Sequence, residues 1–216
     1  MTLNQTYAVF GLGQYGRAVA KELVNNGAEV LAVDMDENIV NAASVELPFC
    51  KCADITDADV MEQLGIGNID VVVIAMATNL EASVMATMLC KEAGVETVIA
   101  KCSDEMQQKI LWKVGADKVV FPERESGTHL ARNLLSSGFM DIIDLTDGIS
   151  MVELDVRPEW VGKPLSGLNL RKKYSINVVA ICKGDEVSTN IDPERPLENG
   201  TQLIVIANTA QLKKLK

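Results

Sequence analysis

Gly11, Gly13 and Gly16 form a G-x-G-x-x-G pattern between the apolar run Tyr7–Phe10 and a helical pattern, and Asp34 closes a second apolar run, Val30–Val33. The three glycines suit a nucleotide-binding turn. The first permits the tight turn, the second lets backbone approach a diphosphate, and the third lets the helix pack closely on the sheet. Amides at the helix N-terminus then face the phosphates. Asp34 stands where a carboxylate accepts hydrogen bonds from ribose hydroxyls, and its charge repels a 2′-phosphate, which disfavours NADP. An ordinary βα turn also uses glycine, but strand, helix and acid in register with the motif point to a nucleotide site.

Other chemistry is sparse. The chain has one histidine, His129, predicted mid-helix and away from the strand ends, which reads as a surface or interface residue. Nothing resembles a nucleophile elbow, a phosphate-binding Lys-Ser loop or a pair of catalytic carboxylates, so no catalytic residue is assigned. Five cysteines, an odd number, suit a reducing compartment. Cys50-Lys-Cys52 lacks the Cys-x-x-Cys spacing of common zinc sites and reads as buried small residues rather than metal ligands.

The elements that must position the motif alternate regularly. Strands are expected near 6–10, 29–34, 48–52, 70–75, 96–100 and 117–121, and helices near 14–26, 37–44, 57–64, 80–93, 103–114 and 123–136. The runs Val30–Val33, Val71–Ala75 and Val98–Ala100 are apolar without alternation, as strands covered on both faces must be. The fold class is therefore α/β, a doubly wound parallel sheet whose ligands bind at the carboxyl ends of the strands. Asn79 and Ser103-Asp104-Glu105 read as helix starts, Gly94 and Gly115 as helix stops, and Gly127 as a late start to the last helix.

Beyond Ser136-Ser137-Gly138 the rhythm changes. Residues 138–149 read as a connector carrying the amphipathic piece Met140–Leu145, and residues 150–216 as a small α+β domain. Within it, strands are expected at 151–156, 176–182 and 202–207, a short helix around 165–173, a hairpin near Gly184-Asp185 and a final helix at 209–215. Residues 1–137 then form the nucleotide-binding domain, consistent with a chain longer than the roughly 100–150 residues of one domain.

The formal charge of −10 is uneven: residues 1–150 hold 10 Lys/Arg and 22 Asp/Glu, a balance of −12, and residues 151–216 hold 10 and 8, a balance of +2. An acidic body speaks against a nucleic-acid surface. No stretch approaches the roughly 18–20 apolar residues of a membrane span, and Met1–Thr6 lacks the basic flank and apolar core of an export signal, so a cytoplasmic location is expected.

With these motifs in place, the chain resembles the cytosolic regulatory subunits of Trk/Ktr-type potassium uptake systems, in which a Rossmann-type RCK domain precedes a small C-terminal RCK domain. The carriers are Ala8–Gly16, Glu29–Asp34, Val71–Met76, Gly115–Glu123 and Leu168–Val178, with Val161-Gly-Lys-Pro-Leu165 opening the small domain. The resemblance implies regulation rather than catalysis. Such subunits bind ATP, ADP or NAD(H), form homodimers that assemble into a ring, usually an octamer, and act at the inner face of the membrane on a membrane-embedded potassium transporter subunit. It implies that Gly11, Gly13 and Gly16, with Gln14 and Tyr15, meet the phosphates. Asp34 and Met35 then meet the ribose, and Asp54, Ala75, Met76 and Ala77 line the adenine and ribose side.

Lys101 matches a lysine that reaches the phosphates, against the alternative of a solvated edge charge. Glu123 matches a carboxylate that helps bind a divalent cation, Mg or Ca, near a γ-phosphate; equally, it is a first-turn acid favoured by the helix dipole. Gln14 departs from the arginine that meets the γ-phosphate in ATP-sensing members, and so favours NAD or ADP. Arg171 and Asn177, flanked by Ile176 and Val178, match a cyclic di-AMP site of related proteins, although Asn169 stands where an acid often occurs. Two other readings share the glycine motif: an NAD-dependent oxidoreductase, and a nucleotide-binding regulator of another cation transporter.

Overall fold

The structure, a computed structural model, describes residues 5–135, 139–146, 148–184 and 186–208. The first part of the chain alternates strands and helices: β1 (Thr6–Phe10), α1 (Gln14–Asn25), β2 (Glu29–Asp34), α2 (Glu37–Ala43), β3 (Cys50–Cys52), α3 (Ala58–Gln63), β4 (Val71–Ile74), α4 (Leu80–Glu92), β5 (Thr97–Lys101), α5 (Glu105–Lys113), β6 (Lys118–Val120) and α6 (Pro122–Leu135). The strands form one parallel sheet, ordered β3-β2-β1-β4-β5-β6 among the described residues. Its apolar strands bury both faces. Ala8, Phe10, Val33, Val72 and Ile74 belong to one core, and Val9, Val30, Ala32 and Val73 to another. That two-sided burial is why these strands read as unbroken apolar runs.

Short polar residues set the helix starts. Asp36, Asp57, Asn79 and Asp104 each accept a backbone N–H with the side chain at the head of α2, α3, α4 and α5. Helix α1 differs: its N-cap is Gly13, and no side chain caps it. Gly94 and Gly115, at φ +87° and +108°, end α4 and α5 as expected. The late start at Gly127 is corrected. Helix α6 begins at Pro122, whose fixed φ suits the first turn, and runs through Gly127.

By its contacts the chain divides into two compact units, Met1–Glu123 and Arg124–Lys216. The second holds an antiparallel sheet ordered β10-β9-β11-β8-β7 among the described residues, built from β7 (Phe139–Thr146), β8 (Ile149–Asp155), β9 (Ile176–Lys183), β10 (Glu186–Ser188) and β11 (Gln202–Asn208). Its core gathers Val152, Leu154, Trp160, Leu168, Leu170, Ile176, Leu203 and Val205. Arg157 stacks its guanidinium 5.2 Å from the Trp160 ring centre.

Two expectations are corrected here. Met140–Leu145 is not an amphipathic piece of a connector but part of β7, paired with β8. The single helix near 165–173 is two short ones, α7 (Leu165–Leu168) and α8 (Leu170–Tyr174), broken at Asn169, whose φ of +51° is left-handed. Asparagine tolerates that conformation better than most residues. The final helix expected at 209–215, Gly138 and Asp185 lie outside the described residues.

Candidate nucleotide-binding site

Strand β1 lies between β2 and β4, where the strand order reverses, so the crevice of the sheet opens beyond its carboxyl end. Pairing keeps the ends level: Phe10 sits beside both Val33 and Ile74, and Ile74 beside Ala100. Every loop that follows these strands reaches the same edge.

The glycine turn is built at backbone level. Gly11 adopts φ +87°, and its N–H donates to Val33 O at 2.8 Å. A Cβ on Gly16 would stand 1.9 Å from Gly11 O and 2.9 Å from Ala75 Cβ, so helix α1 approaches its own loop and β4 as only glycine allows. Around Gly13 the opposite holds: a Cβ there meets nothing within 4 Å. The second glycine therefore borders open space at the uncapped start of α1, the side from which a phosphate would approach. Gln14 is exposed there and Tyr15 half-buried.

Asp34 ties this turn to β2. Its Oδ2 accepts Leu12 N–H at 2.7 Å and its Oδ1 accepts Asp36 N–H at 3.0 Å. The carboxylate is thus a strut of the glycine loop, a role that the spacing alone did not reveal.

A cleft of about 290 Å³ opens beside it, lined by Gly11, Val33, Asp34, Met35, Ala53, Asp54, Ile55, Thr56, Met76, Thr78, Asn79 and Ala82. Of the sequence-assigned residues, Gly11, Asp34, Met35, Asp54 and Met76 are brought together on its walls. Ala75 lies against Gly16, and Ala77 is buried. Thr56 and Thr78 were missed, because polar loop residues leave no periodic signal, and Asn79 was read only as a helix cap. Thr56 donates to Asp54 Oδ1 through both its N–H, at 2.9 Å, and its hydroxyl, at 2.7 Å. Those bonds, the backbone one first, hold the Asp54 carboxyl below its ordinary range.

Lys101 and Glu123 form a second group at the ends of β5 and β6. Lys101 Nζ lies 2.6 Å from Glu123 Oε1 and 5.4 Å from the centre of the Tyr15 ring. The lysine is largely buried, the glutamate mostly exposed, and the hydrogen bond from Lys101 holds the Glu123 carboxyl below its ordinary range. Through Tyr15, the cation stands beside the first turn of α1. Among the described residues no group of three or more His, Cys, Asp or Glu is arranged to hold a metal ion.

The remaining sequence-assigned residues are placed as follows. His129 is exposed on α6. Arg171 is exposed on α8 and Asn177 on β9, one face of the strand, while Ile176 and Val178 pack on the core side. Cys90, Cys102 and Cys182 are buried, but Cys52 is exposed, against expectation, because β3 is an edge strand; its Sγ lies 3.5 Å from Met35 O. Among the described residues no helix is long and apolar enough to cross a membrane.

Comparison with known proteins agrees with this architecture. Residues 7–122 match the TrkA-N domain model, and residues 149–216 match the TrkA-C domain model. The Ktr system potassium uptake protein C of Bacillus subtilis is 34% identical over 214 residues, 99% of this chain and 97% of that protein. The Ktr system potassium uptake protein A of Vibrio alginolyticus is 36% identical over 216 residues, covering 100% and 98%. Among solved structures, the GsuK channel bound to NAD aligns over 98% of this chain at 21% identity with a TM-score of 0.55, a likeness of fold in which the chain spans 38% of the channel's length. A TrkA-N match followed by a TrkA-C match, with identity running the whole length of both relatives, means that this chain belongs to the TrkA-domain family of Ktr potassium uptake proteins.

Proposed function

We propose that the chain is a nucleotide-sensing regulatory subunit of a potassium uptake system, without catalytic activity of its own, acting from the cytoplasmic face on a membrane-embedded potassium transporter subunit. The observation that carries this reading is the cleft beside the glycine turn, with open space at Gly13, an uncapped helix start and the Asp34 carboxylate at one edge. Membership among the Ktr proteins supplies the context of potassium uptake.

The ligand is an adenine nucleotide: ADP, ATP or NAD(H). Its phosphates lie against Gly11–Gly16 with Lys101 as counter-charge, its ribose on Asp34, and its base between Asp54 and the Ala75–Ala77 turn. Two structures of one fold relative, GsuK, hold NAD and ADP respectively, which supports both forms. At Gln14 there is no guanidinium to offset a γ-phosphate, which favours ADP or NAD over ATP. Glu123 already accepts from Lys101, and among the described residues no group of three or more His, Cys, Asp or Glu is arranged to hold a metal ion, so a Mg²⁺ or Ca²⁺ ion fits only if ligand phosphates provide most of its oxygens. In the second unit, exposed Arg171 and Asn177 support a cyclic di-AMP site, with an arginine for phosphate and an amide for an adenine edge.

The chain works as a homo-oligomer, a dimer that builds a ring. Met85 and Met88 on α4 and Met106 and Trp112 on α5 are exposed apolar side chains that a neighbouring subunit would cover. A ligand then regulates by binding one arrangement of subunits more tightly than another. The direct test is identification of the nucleotide retained on purification, followed by calorimetric titration with ADP, ATP and NAD. Binding of one or more with loss in Gly13→Ala supports the reading, and no binding of any overturns it.

A further inference from the structure

The Asp54–Thr56 corner carries more than a wall of the cleft. Ala53 N–H donates to Asp34 O at 3.0 Å, which anchors the corner to the end of β2. Ile55, between the two polar residues, is 6% exposed and plugs into the core beneath the sheet. The corner therefore cannot swing as a free surface loop does. On this seat both Thr56 donors go to one oxygen, Asp54 Oδ1, at 2.9 and 2.7 Å. Among the described residues Oδ2 has no partner, and Asp54 lines the cleft together with Thr78 and Asn79.

An ionised carboxylate only accepts hydrogen bonds. With Oδ1 saturated and the group held still, Oδ2 offers a fixed acceptor to whatever edge of a base enters. A base with an amine there is bound. A base with a carbonyl at the same position sets oxygen against oxygen.

We propose that Thr56 is a specificity-determining positioning residue: by occupying Oδ1 of Asp54 it fixes Oδ2 as an acceptor that selects a 6-amino purine over a 6-oxo purine. This rests on the nucleotide reading above. It assigns to Thr56 a role in choosing the base that neither the glycine motif nor Asp34 can fill, since both face parts common to all nucleotides. Asp54 touches the base; Thr56 acts through it.

The test compares ADP with IDP, which differ by replacement of the 6-amine with a 6-oxo group, in calorimetric titrations of the full-length protein. Wild type is expected to prefer ADP by at least roughly tenfold, the size of one hydrogen bond to a charged group. Thr56→Val, which removes the hydroxyl and keeps the shape, is expected to weaken ADP more than IDP and narrow that ratio at least about threefold, and Thr56→Ser to restore it. Equal weakening of both nucleotides in Thr56→Val, or an unchanged ratio, overturns the proposal, because a packing role would move both alike. Equal affinity of wild type for ADP and IDP also overturns it while leaving the nucleotide reading intact. A protein that binds neither overturns that reading and this inference with it.

Discussion

Alanine at Gly16 and alanine at Gly13 are expected to separate folding from binding, although the two positions are three residues apart in one motif. At Gly16 the new methyl would lie 1.9 Å from Gly11 O, about 1.5 Å short of ordinary contact at 3.4 Å, and 2.9 Å from Ala75 Cβ. The clash is mainly with backbone, so no rotamer relieves it; helix α1 must move off β1 and β4. Overpacking costs about 1–3 kcal/mol where side chains can yield, and the upper end or more is expected here. Against a total stability of roughly 5–15 kcal/mol, a loss of about 3 kcal/mol lowers the melting temperature by roughly 6–12 °C in a protein of this size. At Gly13 a methyl meets nothing within 4 Å. Exchange of glycine for alanine at an N-cap costs under about 1 kcal/mol. On the proposed placement its methyl nevertheless fills space that a phosphate would take, so ADP and NAD affinity should fall at least about tenfold, the cost of losing close backbone approach to a charged oxygen. Thermal melting and calorimetric titration of both variants provide the check. A Gly16→Ala protein that melts with wild type refutes the packing argument, and a Gly13→Ala protein that binds as wild type refutes the placement of the phosphates.

Other consequences are measurable separately. Cys52 should react quickly with a maleimide in the native protein, whereas Cys90, buried and with its thiol pushed up to about 12 by desolvation, should react only on unfolding; mass spectrometry of labelled peptides decides. Asp117 latches β5 to β6: burial raises its pKa, but the bonds from Val98 N–H at 2.7 Å and Lys91 Nζ at 3.0 Å outweigh this and lower it overall. Asp117→Ala should therefore cost about 1–2 kcal/mol at pH 7. Because the folded pKa is the lower one, this contribution is present above the unfolded carboxylate value near 3.9 and fades as pH falls through the folded value, so urea melts of wild type and variant should converge in acid. Gln14→Arg should strengthen ATP relative to ADP by roughly tenfold, since a guanidinium supplies the charge that glutamine lacks; an unchanged ratio in paired titrations counts against contact between this position and the terminal phosphate.

The first unit was legible because two-sided burial writes continuous apolar runs into β1, β2 and β4 and because helix ends carry side-chain chemistry of their own, as Asn79 and Asp104 do. Strand β3 is shorter than expected, 50–52 rather than 48–52, since Pro48 cannot donate to a ladder. Strand β7 was hidden for a different reason. Ile142 and Ile143 stand together between Asp141 and Asp144, a spacing that mimics a helix; the strand forms because β8 pairs with it, and register shifts at Phe139/Asp141 and Asp144/Thr146 absorb the broken alternation. In the site, glycine spacing and Asp34 were readable because backbone geometry dictates them. The bond from Leu12 N–H to Asp34 was not, since it depends on how loops from separate strands meet, and the grip of Thr56 on Asp54, though local, was not because an Asp-x-Thr spacing in a loop carries no periodic signal.

The most direct measurement is potassium flux into vesicles containing the membrane transporter subunit, with this chain added, with and without ADP, ATP or NAD, and with Gly13→Ala in parallel. A sensing subunit changes the flux in a nucleotide-dependent way, and Gly13→Ala abolishes the dependence. Flux that is the same with and without the chain, whatever nucleotide is present, contradicts that role.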